Sequence, residues 1–231
     1  MTLSVPNTAI LLFIRNEKEE AKQKRLASHR DKLANQRIIK ELNQHALQIA
    51  QQTDLPVFVC TGKEQHGANF GEKLANAIES IFQKGYQKVI TIGNDCLSLT
   101  ATDLIKANEQ LLTQDIVLGP TPEGGVYLIG LNKAAYQRSN FLKLRWESPY
   151  LFHDFCCISS ANSIYILSKK ADVNDGTTFQ KAFNQLQKKH ILRRRLSALI
   201  KSKSTHIPTF QNENFTTSLH YSQIYFRGPP Q

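Results

Sequence analysis

Several features that would define a class of protein are missing from this sequence of 231 residues. No stretch approaches the ~20 consecutive apolar residues that a membrane-spanning helix needs, so we expect no membrane span. The first seven residues have neither a basic lead nor a long apolar segment, so we expect no secretory signal peptide. Internal repeats and low-complexity tracts are also missing, which excludes repeat architectures.

The four cysteines show no pattern that is typical of a metal site. Cys60, Cys96, Cys156 and Cys157 form no C-x-x-C pair and have no histidine at the spacing of zinc ligands. The adjacent Cys156 and Cys157 could chelate a soft metal, but we favour two buried thiols on a helix. Together with the missing signal peptide, this use of cysteine predicts a reduced, cytoplasmic protein.

Acidic residues are fewer than basic ones, and the formal net charge is +10. Much of the excess lies in residues 188–203, which contain seven Lys and Arg residues and no acid. Neither an interleaved aromatic platform nor a nucleic-acid-binding motif accompanies this segment. We therefore interpret it as a solvated helix face rather than a surface for RNA or anionic lipid, and we expect no nucleic-acid partner.

The sequence does contain enough apolar material for a sizeable core, since 41% of its residues are hydrophobic. Strand-like runs alternate with helical patterns, which predicts an α/β fold with a mostly parallel sheet and helices on both faces. We expect this domain to occupy residues 1–190. Residues 191–231 would form a basic helix and an extended tail that packs on the domain or on a second subunit, as in a homodimer.

Two acidic residues follow buried strands in the middle of the chain. The run V-I-T-I-G precedes Asn94 and Asp95, and the run I-V-L-G-P lies ahead of Glu123. Open α/β sheets bind ligands at the carboxyl ends of their strands. A carboxylate there can hold a divalent cation, and the pair Gly124 and Gly125 lets the backbone approach a ligand closely. The alternative is that these are ordinary strand ends, which also contain acids and glycines.

These motifs resemble a family of uncharacterised bacterial proteins (DUF2064) that is assigned to the A-type glycosyltransferase fold and sometimes described as arsenosugar-biosynthesis-type glycosyltransferases. The family carries G-T-D-C-P-D-L, then V-L-G-P, then D-G-G-Y-Y-L-I-G-L. The chain has G-N-D-C-L-S-L at 93–99, V-L-G-P at 117–120 and E-G-G-V-Y-L-I-G-L at 123–131. The resemblance implies a nucleotide-diphospho-sugar transferase fold.

The resemblance extends to the segment after the first strand, where the family has F-x-K-x-P-x-x-G-x-x-K-T-R-L. Phe13, Arg15 and Arg25 keep this spacing, Lys22 does so with a slip of one position, and charged residues replace the proline and glycine. The resemblance implies that Arg15, Lys22 and Arg25 contact the nucleotide diphosphate. The alternative for Lys22 and Arg25 is the exposed surface of a helix that occupies much of residues 22–51.

Further residues of the site are assigned by the same resemblance. The family's Q-G-x-x-D-L-G-E-R-M and G-T-D-C segments place Gly71 and Asn94 beside the nucleotide. Trp146 stands in L-R-W-E-S, which is similar to the family's I-x-W-S-T. We expect Trp146, with Gly124 and Gly125, to form a sugar or acceptor pocket. The alternative for Trp146 is an anchor in the core.

The resemblance also implies a divalent cation, Mg²⁺ or Mn²⁺, that neutralises a leaving diphosphate. Asp95 keeps the family's position and is the first expected ligand. Asp175, or Asp172 as its alternative, would be the second, in a segment similar to the family's D-V-D-T. Asp175 is equally suited to cap the helix that follows it. Glu123 is expected to be the general base for an acceptor hydroxyl.

The function implied by the resemblance is a metal-dependent transfer of sugar from a nucleotide sugar to a small-molecule acceptor. Two alternatives stay open. A nucleotidyltransferase of the molybdenum cofactor guanylyltransferase type shares the fold, but the chain lacks its G-G-x-S-x-R-M-G-like loop after the first strand. A non-catalytic relative of the fold would explain the missing proline and glycine, and Ser98 in place of an acid.

Overall fold

A six-stranded sheet lies at the centre of the computed structural model, which describes residues 7–27, 31–158 and 163–201. Its strands are β1 (Thr8–Phe13), β2 (Val57–Cys60), β3 (Lys88–Ile92), β4 (Ile116–Pro120), β5 (Val126–Asn132) and β6 (Ile164–Ile166). Their spatial order is β2-β1-β3-β5-β4-β6. Strand β5 is antiparallel to β3 and β4, and the other neighbouring pairs are parallel. The predicted mostly parallel sheet is confirmed.

Helices cover both faces of the sheet. They are α1 (Glu17–Gln23), α2 (Lys32–Gln51), α3 (Phe70–Gln83), α4 (Ala101–Gln110), α5 (Arg138–Leu142), α6 (Leu151–Ile158), α7 (Gly176–Gln185) and α8 (Ile191–Lys201). Alternation along β1 produces the two apolar layers, because successive side chains of a strand point to opposite faces. Ala9 and Leu11 belong to the cluster with α3, whereas Ile10 and Leu12 belong to the cluster with α2 and α4.

The segment after β1 forms two helices and a fixed connection between them. Asn16 caps α1, its side chain accepting a hydrogen bond from the first turn at 2.9 Å. The chain leaves α1 at Lys24, and the buried Asn35 of α2 holds the connection that follows. Asn35 Oδ1 accepts from Leu26 N at 2.7 Å, and Asn35 Nδ2 donates to Lys24 O at 2.8 Å. The predicted helix over much of residues 22–51 is confirmed as α2.

The C-terminal helices form a further layer outside α2. Leu192 and Leu196 of α8 are buried in a cluster with Ile38 and Leu42 of α2 and Phe179 of α7. Helix α8 therefore contributes an amphipathic stripe to the core of the fold. The predicted boundary at residue 190 stays a prediction, and the predicted extended tail, from residue 202 onward, lies outside the described residues.

Two basic side chains of α8, Arg193 and Arg195, contact neighbouring helices. Arg193 Nη1 donates to three carbonyl oxygens at the end of α7, at 2.5 to 3.1 Å. The last carbonyls of a helix lack internal partners, so a guanidinium there satisfies them. Arg195 Nη1 lies 3.8 Å from Glu41 Oε2. Lys188 and Arg194 are exposed, so the interpretation as a solvated helix face stays a prediction for them, whereas it is wrong for Arg193.

The expectation of two buried thiols on one helix is wrong. Cys156 and Cys157 lie on α6, as expected, but Cys156 is half-buried and Cys157 is exposed. Adjacent helical residues are separated by about 100° around the axis, so the two thiols cannot share one face. Cys60 and Cys96 are buried and free. No helix within the described ranges is long and apolar enough to cross a membrane.

Candidate active site

A cavity of about 520 Å³ opens at the edge of the sheet where β1 and β3 end. Strand β5 runs antiparallel to β3, so its beginning and the loop from β4 lie at this same edge. Loops and strand ends from distant parts of the chain therefore meet at one place. This is the edge at which α/β sheets bind ligands.

The cavity gathers most of the predicted site residues, but not all of them. The predicted residues that line it are Arg15, Asn94, Asp95, Glu123, Gly125 and Trp146. The predicted residues outside its lining are Lys22, Arg25, Gly71, Gly124 and Asp175. Asp172, the alternative second carboxylate, does line the cavity, as do three residues that the sequence did not suggest, Glu20, Lys24 and Glu147.

One side of the cavity, the polar wall, consists of Glu20, Lys24, Asn94, Asp95 and Asp172. Lys24 Nζ forms an ion pair with Asp95 Oδ1 and lies 3.5 Å from Glu20 Oε1. Asn94 Nδ2 donates to Glu20 Oε2 at 3.0 Å. The polar wall thus joins helix α1 to the end of β3 through side chains whose charges and hydrogen bonds complement one another.

Burial makes the charges of the polar wall depend on one another. The side chains of Lys24 and Glu20 are 14% and 7% exposed, whereas that of Asp95 is 36% exposed. Burial raises the pKa of Glu20, the charge of Asp95 raises it further, and Lys24 lowers it. Removing one partner of a buried ion pair is costly because it leaves the other charge uncompensated. Of the two acids that are paired with Lys24, Asp95 is more exposed than Glu20.

Asp172 enters the cavity from the segment after β6. The backbone hydrogen bond from Val173 N to Asp95 O, 2.9 Å long, holds this segment beside the end of β3. Asp172 Oδ1 is buried without a hydrogen-bond partner among the described residues. Burial and then the charge of Asp95 raise the pKa of Asp172 to about 7. A buried carboxylate oxygen without a partner is expensive, so this atom is suited to a proton or a cation.

Asp95 and Asp172 suit a divalent cation that is bound together with a ligand. Mg²⁺ commonly takes one or two carboxylates, several waters and the phosphates of a substrate. The described parts of the chain contain no group of three or more His, Cys, Asp or Glu that could hold a metal ion. Asp95 and Asp172 would therefore supply only part of the coordination of such an ion, and a bound substrate would supply another part. Asp175 is used elsewhere: it caps α7, its Oδ1 accepting from Thr178 N at 2.8 Å.

The aromatic wall of the cavity consists of Phe13, Phe70 and Trp146. The ring centroids of Phe13 and Phe70 are 5.7 Å apart, and those of Phe70 and Trp146 are 5.5 Å apart. Trp146 Nε1 donates to Phe141 O at 3.0 Å. A Cβ added at Gly71 would lie 2.6 Å from the indole, so the lack of a side chain there admits Trp146. Trp146 both lines the cavity and packs against the core.

The loop from β4 to β5 presents Glu123 to the cavity as an exposed side chain. Thr121 Oγ1 accepts from Gly125 N at 3.0 Å, and Gly124 N donates to Thr121 O at 3.2 Å. Gly124 has a φ of 86°, and a Cβ there would lie 1.9 Å from Pro149 O. The turn requires glycine for both reasons. Gly124 therefore shapes the loop from outside the cavity lining.

Arg15 lines the cavity in an ion pair with Glu147. Arg15 Nη2 lies 3.3 Å from Glu147 Oε1, with the two side chains 38% and 62% exposed. Exposed pairs contribute little to stability, so this pair can separate for a ligand at low cost. Glu147 has a φ of 57°, a left-handed conformation that is uncommon for residues other than glycine.

Helical spacing is the signal that would have found Glu20 and Lys24 in the sequence. Residues four apart lie on the same side of a helix, whereas a residue between them, Lys22, points elsewhere. Lys22 and Arg25 are both exposed. The family resemblance points to Lys22 and Arg25 in this segment, whereas helical spacing points to Glu20 and Lys24.

The lining of the cavity is acidic although the whole chain is basic. Its charged residues are Glu20, Asp95, Glu123, Glu147 and Asp172, with Arg15 and Lys24 of opposite charge. The formal net charge of the chain is +10. An anionic ligand would meet an excess of carboxylates here and would need an accompanying cation.

Comparison with solved structures defines the class of fold. The chain is similar to a candidate nucleotide-diphospho-sugar transferase from Desulfovibrio desulfuricans G20, with a TM-score of 0.73 and 19% identity, over 86% of this chain and 98% of that chain. The fold is therefore that of a nucleotide-diphospho-sugar transferase. Residues 23–148 match the family described as "Uncharacterized protein conserved in bacteria" (DUF2064). The chain belongs to this family.

Two further solved structures are less similar. Rv0371c from Mycobacterium tuberculosis H37Rv is 13% identical over 76% of this chain and 97% of that chain, with a TM-score of 0.46. The 4-diphosphocytidyl-2C-methyl-D-erythritol synthase from Anaerococcus prevotii DSM 20548 is 6% identical over 76% and 95%, with a TM-score of 0.49. These similarities are too low to bear on function. No curated protein matches the chain.

Proposed function

We propose that this chain binds a nucleotide sugar in the cavity and transfers the sugar to a small-molecule acceptor. The observation that carries the proposal is the meeting of Asp95, Asp172 and Glu123 in one cavity at the ligand-binding edge of the sheet. The fold supports it, since the same fold occurs in a candidate nucleotide-diphospho-sugar transferase. The aromatic wall offers flat apolar surface for a base or a sugar ring.

A divalent cation, Mg²⁺ or Mn²⁺, is part of this proposal. Asp95 and Asp172 would hold it, because carboxylate oxygens are the ligands that hard cations prefer. When bound, such an ion neutralises the charge that develops on a departing diphosphate. The acidic lining supports this requirement, because a diphosphate without a cation would be repelled by the carboxylates.

Two side chains of the chain itself have roles in the proposed transfer. Glu123, exposed in the cavity, would take the proton of the acceptor hydroxyl as that oxygen bonds to the sugar. Arg15 would turn from Glu147 to a phosphate oxygen, because a guanidinium matches the geometry of phosphate. Lys22 and Arg25, also predicted to contact the nucleotide, lie outside the cavity lining, and we assign them no role in it.

A non-catalytic relative of the fold is the second candidate. The ion pair between Lys24 and Asp95 favours it, because this pair engages the carboxylate that would bind the metal. Calorimetry tests the nucleotide binding that the proposed transfer requires. We expect at least one of the UDP-, GDP- and dTDP-sugars to bind in the presence of Mn²⁺. If none of them gives heat at millimolar concentration, with or without Mn²⁺, the result favours the non-catalytic candidate.

Substitutions at Asp95 and Glu123 separate binding from transfer. Asp95→Asn should weaken Mn²⁺-dependent nucleotide binding at least about tenfold, because a neutral amide is a poorer ligand for a hard cation. Glu123→Gln should leave binding within about twofold and lower transfer at least about 100-fold, because the proton acceptor is lost while the shape is kept. If Glu123→Gln lost binding as badly as Asp95→Asn, the assignment of Glu123 as base would be wrong.

The variant Glu123→Asp sharpens this test, since the resembling family has aspartate at this position. Faster transfer would show that the longer side chain weakens the site. Slower transfer would show that the site is fitted to glutamate, since misplacement by about 1 Å can cost about 100-fold in rate.

A cytoplasmic location and a homodimer also belong to the proposal, and light scattering of the purified chain tests the dimer.

A further inference from the structure

Lys24 places a positive charge of the chain itself on the carboxylate that would bind a metal. Its Nζ is paired with Asp95 Oδ1, and Asp95 is the more exposed member of this pair. We propose that Lys24 is an internal counter-ion of Asp95. Its charge prevents a free divalent cation from binding to Asp95, and it releases this carboxylate only to a cation that is bound to a diphosphate. The coupling to diphosphate rests on the proposed function, whereas the exclusion of the free cation does not.

The backbone around Lys24 fixes the base of this side chain. Lys24 N donates to Glu20 O at 2.8 Å at the end of α1. Lys24 O accepts from the side chain of the buried Asn35 at 2.8 Å. The ammonium therefore reaches the cavity from a rigid position, and only its flexible stem moves. Because the backbone is already ordered, pairing with Asp95 restricts only the side chain of Lys24, which keeps the entropic cost of its competition with a metal low.

Glu20 gives Lys24 a second partner, which allows the ammonium to leave Asp95. Glu20 Oε1 lies 3.5 Å from Lys24 Nζ, and Asn94 Nδ2 holds the other oxygen of Glu20 at 3.0 Å. Asn94 Nδ2 is in turn 2.5 Å from Asn43 Oδ1. Glu20 is thus anchored and buried. Lys24 can release Asp95 without becoming an unpaired buried charge, which would be costly.

The charges of the cavity explain why the cation and the diphosphate would bind together. A free divalent cation has to displace Lys24 from Asp95. A free diphosphate meets five carboxylates and two cationic side chains. A cation that is bound to a diphosphate overcomes both obstacles. The cation binds Asp95 and Asp172, and the ammonium of Lys24 that it displaces turns toward the phosphate. Each ligand then raises the affinity for the other by the same factor.

The first experiment titrates Mn²⁺ alone into the full chain and into Lys24→Met, by calorimetry. We expect Lys24→Met to bind Mn²⁺ at least about tenfold more tightly, because the competing charge on Asp95 is gone. Lys22→Met is the matched control, since it removes the same charge two residues earlier on the exposed surface of α1, and it should bind like the unmodified chain. Lys24→Arg, which keeps the charge, should also do so.

Two outcomes of this titration would overturn the proposal. One is that Lys24→Met binds Mn²⁺ no more tightly than the unmodified chain. The other is that the double variant Lys24→Met with Asp95→Asn keeps the gain, because the added cation would then not be on Asp95. Thermal unfolding of each variant checks that the fold is retained.

The second experiment needs no variant. Mn²⁺ is titrated into the unmodified chain with and without saturating UDP, GDP or dTDP. We expect a diphosphate to raise the affinity for Mn²⁺ at least about tenfold, and Mn²⁺ to raise the affinity for the diphosphate equally. If Mn²⁺ alone binds as tightly as with the diphosphate, the proposal is overturned. If no diphosphate binds under any condition while Lys24→Met gains Mn²⁺, the proposed function fails and the counter-ion role of Lys24 stands.

Discussion

The cavity and the layer formed by α7 and α8 are regions of opposite charge on one chain. Five carboxylates and two cationic side chains line the cavity, whereas residues 188–201 are basic and contain no acid. In both regions, however, a cationic side chain is used by the fold. Lys24 is paired with Asp95 and Glu20, and Arg193 donates to the carbonyls that end α7.

The comparison shows that the net charge of the chain is a poor guide to the charge of its cavity. The formal net charge of the chain is +10, yet the lining of the cavity at the edge of the sheet is acidic. A lysine or arginine that is paired with a buried acid or a helix end can bind an anion only after it leaves that partner. The four predictions below test how far each region relies on such internal pairing.

The largest effect is expected in the polar wall, at Asn94. This side chain is 7% exposed and donates to both Glu20 and Asn43. Asn94→Ala should lower the free energy of unfolding by about 2–4 kcal/mol, because two buried acceptors lose their donor. Urea unfolding measures it. Asn174→Ala, at an exposed residue of the same cavity, should change it by less than about 0.5 kcal/mol. Equal effects would contradict the network.

The second effect concerns His45 of α2, beneath the basic layer. His45 is buried, and its ring centroid is 5.6 Å from that of His190. Burial and then the charge of His190 lower the pKa of His45 to about 4. The unfolded chain binds a proton at a pKa of about 6.5, so the stability that neutral His45 allows is present above pH 6.5 and is lost as the pH falls toward 4.

The variant His45→Gln isolates this titration from those of other groups. The difference in unfolding free energy between the unmodified chain and His45→Gln should shift by about 2 kcal/mol between pH 7.5 and pH 5, against the unmodified chain at the lower pH. Chemical denaturation at several pH values measures this shift. A difference that does not change with pH would mean that His45 titrates normally.

The third effect tests the structural use of Arg193. Arg193→Met should lower the free energy of unfolding by about 1–2 kcal/mol, because the carbonyls that end α7 lose a charged donor. Arg194→Met is the matched control, since its side chain is exposed, and it should change stability by less than about 0.5 kcal/mol. Comparable losses in both variants would mean that the guanidinium of Arg193 is as solvated as that of its neighbour.

The smallest effect is expected for binding to polyanions. If Arg193 is bound to the end of α7 and the other basic residues of the segment are only solvated, the chain should not bind polyanions. It should then neither shift RNA in a gel nor sediment with anionic vesicles at physiological salt. Exposed charges are screened over about 8 Å under those conditions. Binding that weakens steeply with added salt would show instead that residues 188–203 form an interaction surface.

Local pattern in the sequence was enough to predict the elements and the edge at which the site lies. Apolar runs and helical spacing are local properties, so V-I-T-I-G and I-V-L-G-P predicted β3 and β4 close to their observed bounds, and the helical pattern in residues 22–51 predicted α2. The position of Asp95 and Glu123 beyond strand ends then placed both at the cavity, because strands of a mostly parallel sheet end at one edge. The family motif strengthened the prediction of the fold.

Tertiary structure alone decided which neighbouring residues take part in the site. Lys24 and Asp95 are 71 residues apart, and no local pattern joins them. Asp172 and Asp175 look equivalent in the sequence, but Asp175 caps α7 and Asp172 lines the cavity. Gly71 is small because the indole of Trp146 packs against it. Pairing across the chain depends on how elements pack, and packing determines which side chains lose water and which charges meet.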